Sequence, residues 1–212
     1  MPIKVVFLDC DGTLTTIRSS WEYLHRSLNL WTENADAYQA LFRAGKIDYY
    51  EFCRRDALLW RGLPLSRIHE MVRQIPYREG VRDGMATLKR LGIFTVIIST
   101  GLSVLVNHVK DDLGVDMAFS NELTNDGSSL TGEAKICVEY DRKGSLVKDV
   151  LRDLGRAPGE AAAIGDGDGD DAMFEEVALA LNLSGGHRSR GSGRAKSVSG
   201  FLDAILAIEN HV

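Results

Sequence analysis

The sequence is short of several things, and each shortage excludes something. It holds only three cysteines in 212 residues: Cys10, Cys53 and Cys137. They show no metal-ligand spacing, and so odd and sparse a set reads as reduced thiols in a cytoplasmic protein, not as a disulfide scaffold. Cys10 falls between two acids, but strand alternation points it away from them, so it reads as packing and not as a nucleophile. No apolar run approaches the length of a membrane span, so no membrane partner is expected. Strand residues and then acids follow Lys4 directly, so no signal peptide is expected. Positive charge is not in excess either. The net charge of −5 argues against a nucleic-acid partner. No Walker loop, no Ser/His/Asp arrangement and no internal repeat is visible. The remaining composition is that of an ordinary globular chain, 44% hydrophobic and 26% charged, long enough for one large domain or a core with a smaller insert.

The stretch KVVFLDCDGTLT, residues 4–15, organises the rest. Val5–Leu8 is a short unbroken β-rich run, which suits a central strand buried on both faces. Polarity then flips. Asp9 and Asp11 sit at the carboxyl end of that strand, where ligands bind in open α/β sheets, and Gly12 lets the chain turn. Two carboxylates there repel unless a cation or a shared proton holds them. Mg²⁺ takes oxygen ligands and pairs with phosphate. A calcium loop starting at Asp9 fails, because the sixth and twelfth places hold Leu14 and Ser20.

From about Ser20 to Ile75 the chain reads as helices: Trp21–Leu30, Ala35–Ala44, Tyr49–Trp60 and Leu65–Gln74, punctuated by Gly45, Gly62 and Pro64. The block is rich in aromatics, among them Trp21, Trp31, Tyr38, Phe42, Tyr49, Tyr50, Phe52 and Trp60. Most of these read as the packing of a small bundle. The block interrupts an α/β pattern after its first strand, so it would hang over the strand ends, where a lid belongs. We expect a cap at 17–75 and a core made of 1–16 and 76–212. The core pattern predicts helices at Val81–Leu91, Leu102–Leu113, Ser145–Leu154, Ala172–Val177 and Ser199–Glu209. It predicts strands at Phe94–Ile98, Met117–Ser120, Ala161–Ile164 and Leu179–Leu183, with a hairpin or flap within Asn121–Ile136. The last helix is expected to turn Phe201, Leu202, Ile205 and Leu206 inward. Strands alternating with helices imply an α/β fold with a doubly wound parallel sheet. Ser184–Ser199, with His187, Arg188, Arg190, Arg194 and Lys196, reads as a solvated loop.

Five polar features then fall at strand ends or helix starts: Asp9 with Asp11, Ser99 with Thr100 and Gly101, Lys143, Asp166 and Asp170. The run GDGDGDD from Gly165 fails as a calcium loop and as a dinucleotide fingerprint, where Asp170 replaces the last Gly. Together the features fit phosphoryl transfer. That chemistry needs a nucleophile, cations around the phosphoryl oxygens and an acid for the leaving oxygen.

Here the chain resembles the haloacid dehalogenase superfamily of phosphohydrolases, and within it the phosphoserine phosphatase-like branch. Asp9-Cys10-Asp11-Gly12-Thr13 is similar to the first motif, Ser99 to the second, Lys143 to the third and Gly165-Asp166-Gly167…Asp170 to the fourth. Leu63-Pro64, Glu79-Gly80 and NELTNDGSSLTGE also resemble that branch. The resemblance implies a Rossmann-like core with a helical cap. It implies that Asp9 is the nucleophile and that Asp11 is the acid and then the base. It implies that Ser99 bonds a phosphate oxygen and that Lys143 pairs with nucleophile and phosphate. Mg²⁺ would be bound by Asp9, the Asp11 backbone carbonyl and Asp166, supported by Asp170. The implied partner is a small phosphorylated metabolite, acted on by a monomer or homodimer. The branch places a Glu where Arg18 stands and a carboxylate-gripping Arg that aligns best with Asp56. Arg54 and Arg55 lie beside that place. A cationic Arg18 would favour a more anionic substrate than phosphoserine. A receiver-type phosphoacceptor switch, a true phosphoserine phosphatase, phosphotransfer to a second alcohol and attack by a metal-bound water stay open as alternatives.

Overall fold

A computed structural model describes residues 1–30, 33–139, 142–183 and 194–212. Val5–Leu8 is strand β1, and all of it is buried. Its apolar residues alternate between two cores, as the period of a strand requires. Val6 and Leu8 face the larger core, and Val5 and Phe7 face the smaller one. Four helices follow: α1 (Ser20–Ser27), α2 (Glu33–Arg43), α3 (Tyr49–Leu58) and α4 (Leu65–Val72). The chain then alternates through α5 (Val81–Arg90), β2 (Phe94–Leu102), α6 (Ser103–Leu113), β3 (Met117–Asn125), β4 (Leu130–Lys135), α7 (Lys143–Asp153), β5 (Ala161–Gly165), α8 (Asp171–Phe174), β6 (Leu179–Asn182), β7 (Lys196–Ser197) and α9 (Phe201–Glu209). The sheet runs β4-β3-β2-β1-β5-β6-β7. β1 pairs in parallel with β2 and β5, while β4 is antiparallel to β3. The expected α/β class and mainly parallel sheet are therefore present, and the hairpin expected within 121–136 is β3–β4.

The insert is sewn to the core at two places. On one side its two connecting strands run together: Thr15 bridges Tyr77, the Thr16 N–H donates to the Pro76 carbonyl at 3.0 Å and the Arg78 N–H to the Leu14 carbonyl at 3.0 Å. On the other side the β3–β4 hairpin hooks onto it. Gly62 and Leu65 donate backbone N–H groups to Leu130 and Ser128, each at 2.8 Å, and Leu130 returns one to Leu63 at 2.9 Å. Inside the insert the aromatics do pack. Trp21 stacks on Trp60 at 5.5 Å between centroids and Phe42 on Phe52 at 5.1 Å. His25 of α1 sits against Trp60 and lies 3.3 Å from Asp56 of α3, both buried.

Three expectations need correction. Leu202 and Leu206 are about half exposed, because α9 turns Phe201, Ala204, Ile205 and Ile208 inward instead. Lys196–Ser197, read as loop, adds a short edge strand beside β6. Helix α7 begins at Lys143, two residues before the predicted start. Trp31, His187, Arg188 and Arg190 lie outside the described residues.

Candidate active site

The site forms where β1, β2 and β5 end. Past β1 the chain wraps around the Cys10 carbonyl, which accepts N–H groups from Thr13, Leu14 and Thr15 at 3.3, 2.9 and 3.0 Å. Gly12 holds φ +81°, a left-handed angle that costs a side chain dearly, and a Cβ there would collide with the Asp166 carboxylate. The first and fourth motifs therefore touch at Gly12. Arg78 completes the turn. Its Nε donates to the Gly12 carbonyl at 3.0 Å, and its Nη2 donates to the same oxygen.

Lys143 enters from the first turn of α7 and is buried. Its ammonium donates to Asp9 Oδ1 at 2.6 Å and to Asp170 Oδ1 at 2.7 Å. Thr13 Oγ1 donates to Asp9 Oδ2 at 3.4 Å. Asp170 Oδ2 accepts the N–H groups of Asp166 and Gly167 at 3.0 and 3.2 Å, so both its oxygens are engaged. One oxygen each from Asp9, Asp166 and Asp170 lies within 4.8 Å of the others. Three carboxylates around one ammonium leave an excess of negative charge. Burial pushes the Asp9 carboxyl well above its usual range, and Lys143 opposes that push. Burial and the Asp170 charge raise Asp166 to about 6, against the pull of Arg78 and Lys143. Burial tends to lower the Lys143 ammonium, but Asp170 and Asp9 outweigh it and raise it overall. Such a donor set fits a hard divalent cation, which binds through carboxylate oxygens.

Asp11 stands apart from that cluster. Its Oδ2 accepts the Ser20 N–H at 2.6 Å, while its buried Oδ1 has no hydrogen-bond partner among the described residues. Burial raises it, and the hydrogen bonds from Ser20 pull the other way. Ser99 is buried three residues before the end of β2, and its Oγ accepts the Gly101 N–H at 3.0 Å. The Thr100 carbonyl points away, toward Trp21, Tyr49 and Asn121.

Asp9, Lys143, Asp166 and Asp170 thus meet directly, and Asp11 Oδ2 and Ser99 Oγ both lie against Gly101. The arginines expected at the substrate lie outside that cluster. Arg54 and Arg55 both turn to Glu51, each Nε at 2.7 Å, and Arg55 also covers the Tyr38 ring. Arg18 is exposed. No site role was assigned from sequence to Thr13, Arg78, Tyr49 or Asn121. The Thr of DxDGT was a local signal for the first. The other three act through contacts 21 to 72 residues away along the chain.

Comparison with known proteins points one way. A family model described as haloacid dehalogenase-like hydrolase matches residues 3–177. A phosphoserine phosphatase of Archaeoglobus fulgidus is 28% identical over 84% of this chain, which spans 52% of that relative's length. One from Methanocaldococcus jannaschii is also 28% identical, over 84% of both chains. A solved substrate-bound phosphoserine phosphatase complex superposes with a TM-score of 0.81 at 23% identity, covering 98% of each chain, a likeness of fold.

Proposed function

Because this chain belongs to the haloacid dehalogenase-like hydrolases, we propose that it is a Mg²⁺-dependent phosphomonoester hydrolase working through an aspartyl-phosphate at Asp9. Residues 17–75 would act as the cap over the core. The observation that carries the reading is the Lys143 ammonium held between Asp9 and Asp170, with Asp166 beside them. Asp9, Asp166 and the Asp11 backbone carbonyl would hold Mg²⁺, with Asp170 behind them. When bound, the ion supplies positive charge for the phosphoryl oxygens.

A carboxylate oxygen of Asp9 attacks phosphorus, and the bond from phosphorus to the ester oxygen breaks. The departing oxygen takes its electron pair and receives a proton from Asp11. The raised Asp11 carboxyl, with its buried Oδ1 left without a hydrogen-bond partner among the described residues, supports that role. Asp11, now ionised, takes a proton from the water whose oxygen bonds phosphorus. The Asp9–phosphorus bond then breaks, which frees phosphate and restores the Asp9 carboxylate. Lys143 balances the charge on Asp9 and the phosphoryl group. The Ser99 hydroxyl, which accepts the Gly101 N–H, would donate to a phosphoryl oxygen.

The substrate is read as a small acidic phosphometabolite. Glu51 occupies Arg54 and Arg55, and His25 occupies Asp56, whereas Arg18 makes no ion pair among the described residues. Arg18 follows the Asp11 turn and would favour negative charge near the leaving group. Relatives named phosphoserine phosphatase favour a second reading, phosphoserine itself. All three cysteines are free, in keeping with a reducing cytoplasm. Among the described residues no helix is long and apolar enough to cross a membrane.

A panel of phosphorylated metabolites with p-nitrophenyl phosphate, assayed with Mg²⁺, tests the proposal. Turnover should fall by about 10³-fold or more in Asp9→Asn. Undiminished turnover in that variant would overturn the mechanism. Phosphoserine exceeding every other substrate by about tenfold in kcat/KM would overturn the substrate class.

A further inference from the structure

Three donors converge on one carbonyl. The Thr100 oxygen accepts from Trp21 Nε1 at 3.2 Å, Tyr49 Oη at 3.0 Å and Asn121 Nδ2 at 3.0 Å. Trp21 lies on α1 and Tyr49 on α3, both in the insert, whereas Asn121 lies on β3 in the core. A carbonyl offers two lone pairs, so three donors are more than satisfaction requires.

The position of this carbonyl matters because a peptide is planar. The Thr100 C=O and the Gly101 N–H belong to one peptide unit and point in opposite directions. Fixing the oxygen fixes the N–H, which reaches Ser99 Oγ at 3.0 Å. Nor is there room for a side chain here. A Cβ on Gly101 would lie 2.7 Å from both Asp11 Oδ2 and Ser20 Oγ. The Thr100–Gly101 peptide is thus the wall between Ser99 and Asp11.

The core half of the arrangement is held by backbone groups. Buried Asn121 accepts the N–H groups of Cys137 and Val138, each at 2.8 Å, and its two Nδ2 hydrogens are shared among the Val138 carbonyl at 3.0 Å, the Thr100 carbonyl at 3.0 Å and Tyr49 Oη at 3.1 Å. The insert half depends on two side-chain tips. Lifting the insert would leave Thr100 with Asn121 alone.

We propose that Tyr49 is a positioning residue through which the insert sets the Thr100–Gly101 peptide, so that Ser99 and the Gly101 amide take their working geometry only with the insert closed. The coupling stands on the hydrogen bonds alone; its catalytic consequence rests on the phosphohydrolase reading. Tyr49→Phe removes one hydroxyl and keeps the ring. Amide hydrogen exchange on the metal-free full chain then reads the peptide without any substrate. Gly101 exchange should quicken by about tenfold, while amides of β1 and β5 keep their protection. Unchanged Gly101 exchange would overturn the proposal, and so would equal acceleration throughout, which would be global loosening. With p-nitrophenyl phosphate and Mg²⁺, kcat should fall about three- to tenfold with KM within about twofold. An unchanged kcat would overturn the catalytic consequence. A wild-type chain that leaves the ester untouched while Gly101 still responds to Tyr49→Phe would sink the phosphohydrolase reading and support the coupling.

Discussion

Gly12 lies so close to Asp166 that a β-carbon on Gly12 would overlap the Asp166 carboxylate where it stands. The turn after β1 and the loop after β5, more than 150 residues apart in sequence, therefore share one van der Waals surface. Gly12→Ala meets both this overlap and the left-handed φ of +81°. The variant should fold, because the backbone core of β1 and β5 is untouched, but it should push Asp166 aside. Phosphatase turnover should drop about 10²-fold or more, with a matching loss of Mg²⁺ affinity by titration calorimetry. Wild-type Mg²⁺ affinity in the variant would contradict the account.

Lys143 is buried with both of its carboxylate partners. Lys143→Met leaves Asp9 and Asp170 facing each other without a counter-charge. Removing one partner from a buried ionic cluster costs on the order of 3–5 kcal/mol. Urea unfolding of the metal-free variant at neutral pH should show a loss of that order. Much of it should return on acidification, which lets a carboxylate take a proton. A loss that does not change with pH would contradict the electrostatic explanation.

Acid dependence of the metal-free chain follows from three raised carboxyls: Asp9, Asp11 and Asp166. Folding favours their protonated forms. For Asp166 the stabilisation is fully present below its ordinary value of 3.8 and is lost as pH rises through about 6. Magnesium competes for the same oxygens, so it should bind more weakly as pH falls below about 6. Melting in EDTA should give a Tm that falls from about pH 5 to pH 7, and the rise in Tm on adding Mg²⁺ should be larger at pH 7. A Mg²⁺ effect that is larger at pH 5 would contradict this ordering.

Asp9, Asp166 and Asp170, which meet in the structure, were legible because at both places an apolar strand runs into carboxylates interspersed with glycine. The sheet followed from the same alternation. Contacts between distant segments were not legible. Nothing near Arg78 in sequence says that its guanidinium will hold the Gly12 carbonyl. Nothing near Tyr49 names Thr100 as its acceptor. Arg54 and Arg55, expected at the substrate, pair in the structure with Glu51, three and four residues earlier on the same helix. The closing helix shows the limit of periodicity. Phe201 and Ile205 define its buried stripe, and Leu202 and Leu206 lie one residue, about 100°, around from it. An apolar residue can sit on either side of that boundary.

Arg18 is the test of substrate charge. Arg18→Glu should reverse its preference, lowering kcat/KM for anionic phosphoesters by about tenfold while sparing p-nitrophenyl phosphate within about twofold. Equal loss on both would contradict a role in reading substrate charge.

The central claim is that Asp9 carries the phosphoryl group and Asp11 manages the proton. The most direct measurement uses Asp11→Asn with p-nitrophenyl phosphate and Mg²⁺. Nitrophenolate leaves without an acid, but no base remains to activate water. The account predicts a burst of a single nitrophenolate per chain, with a stable phosphoryl group found on Asp9 by peptide mapping. A chain that turns over steadily without any phosphoryl adduct, or one phosphorylated elsewhere, would contradict it.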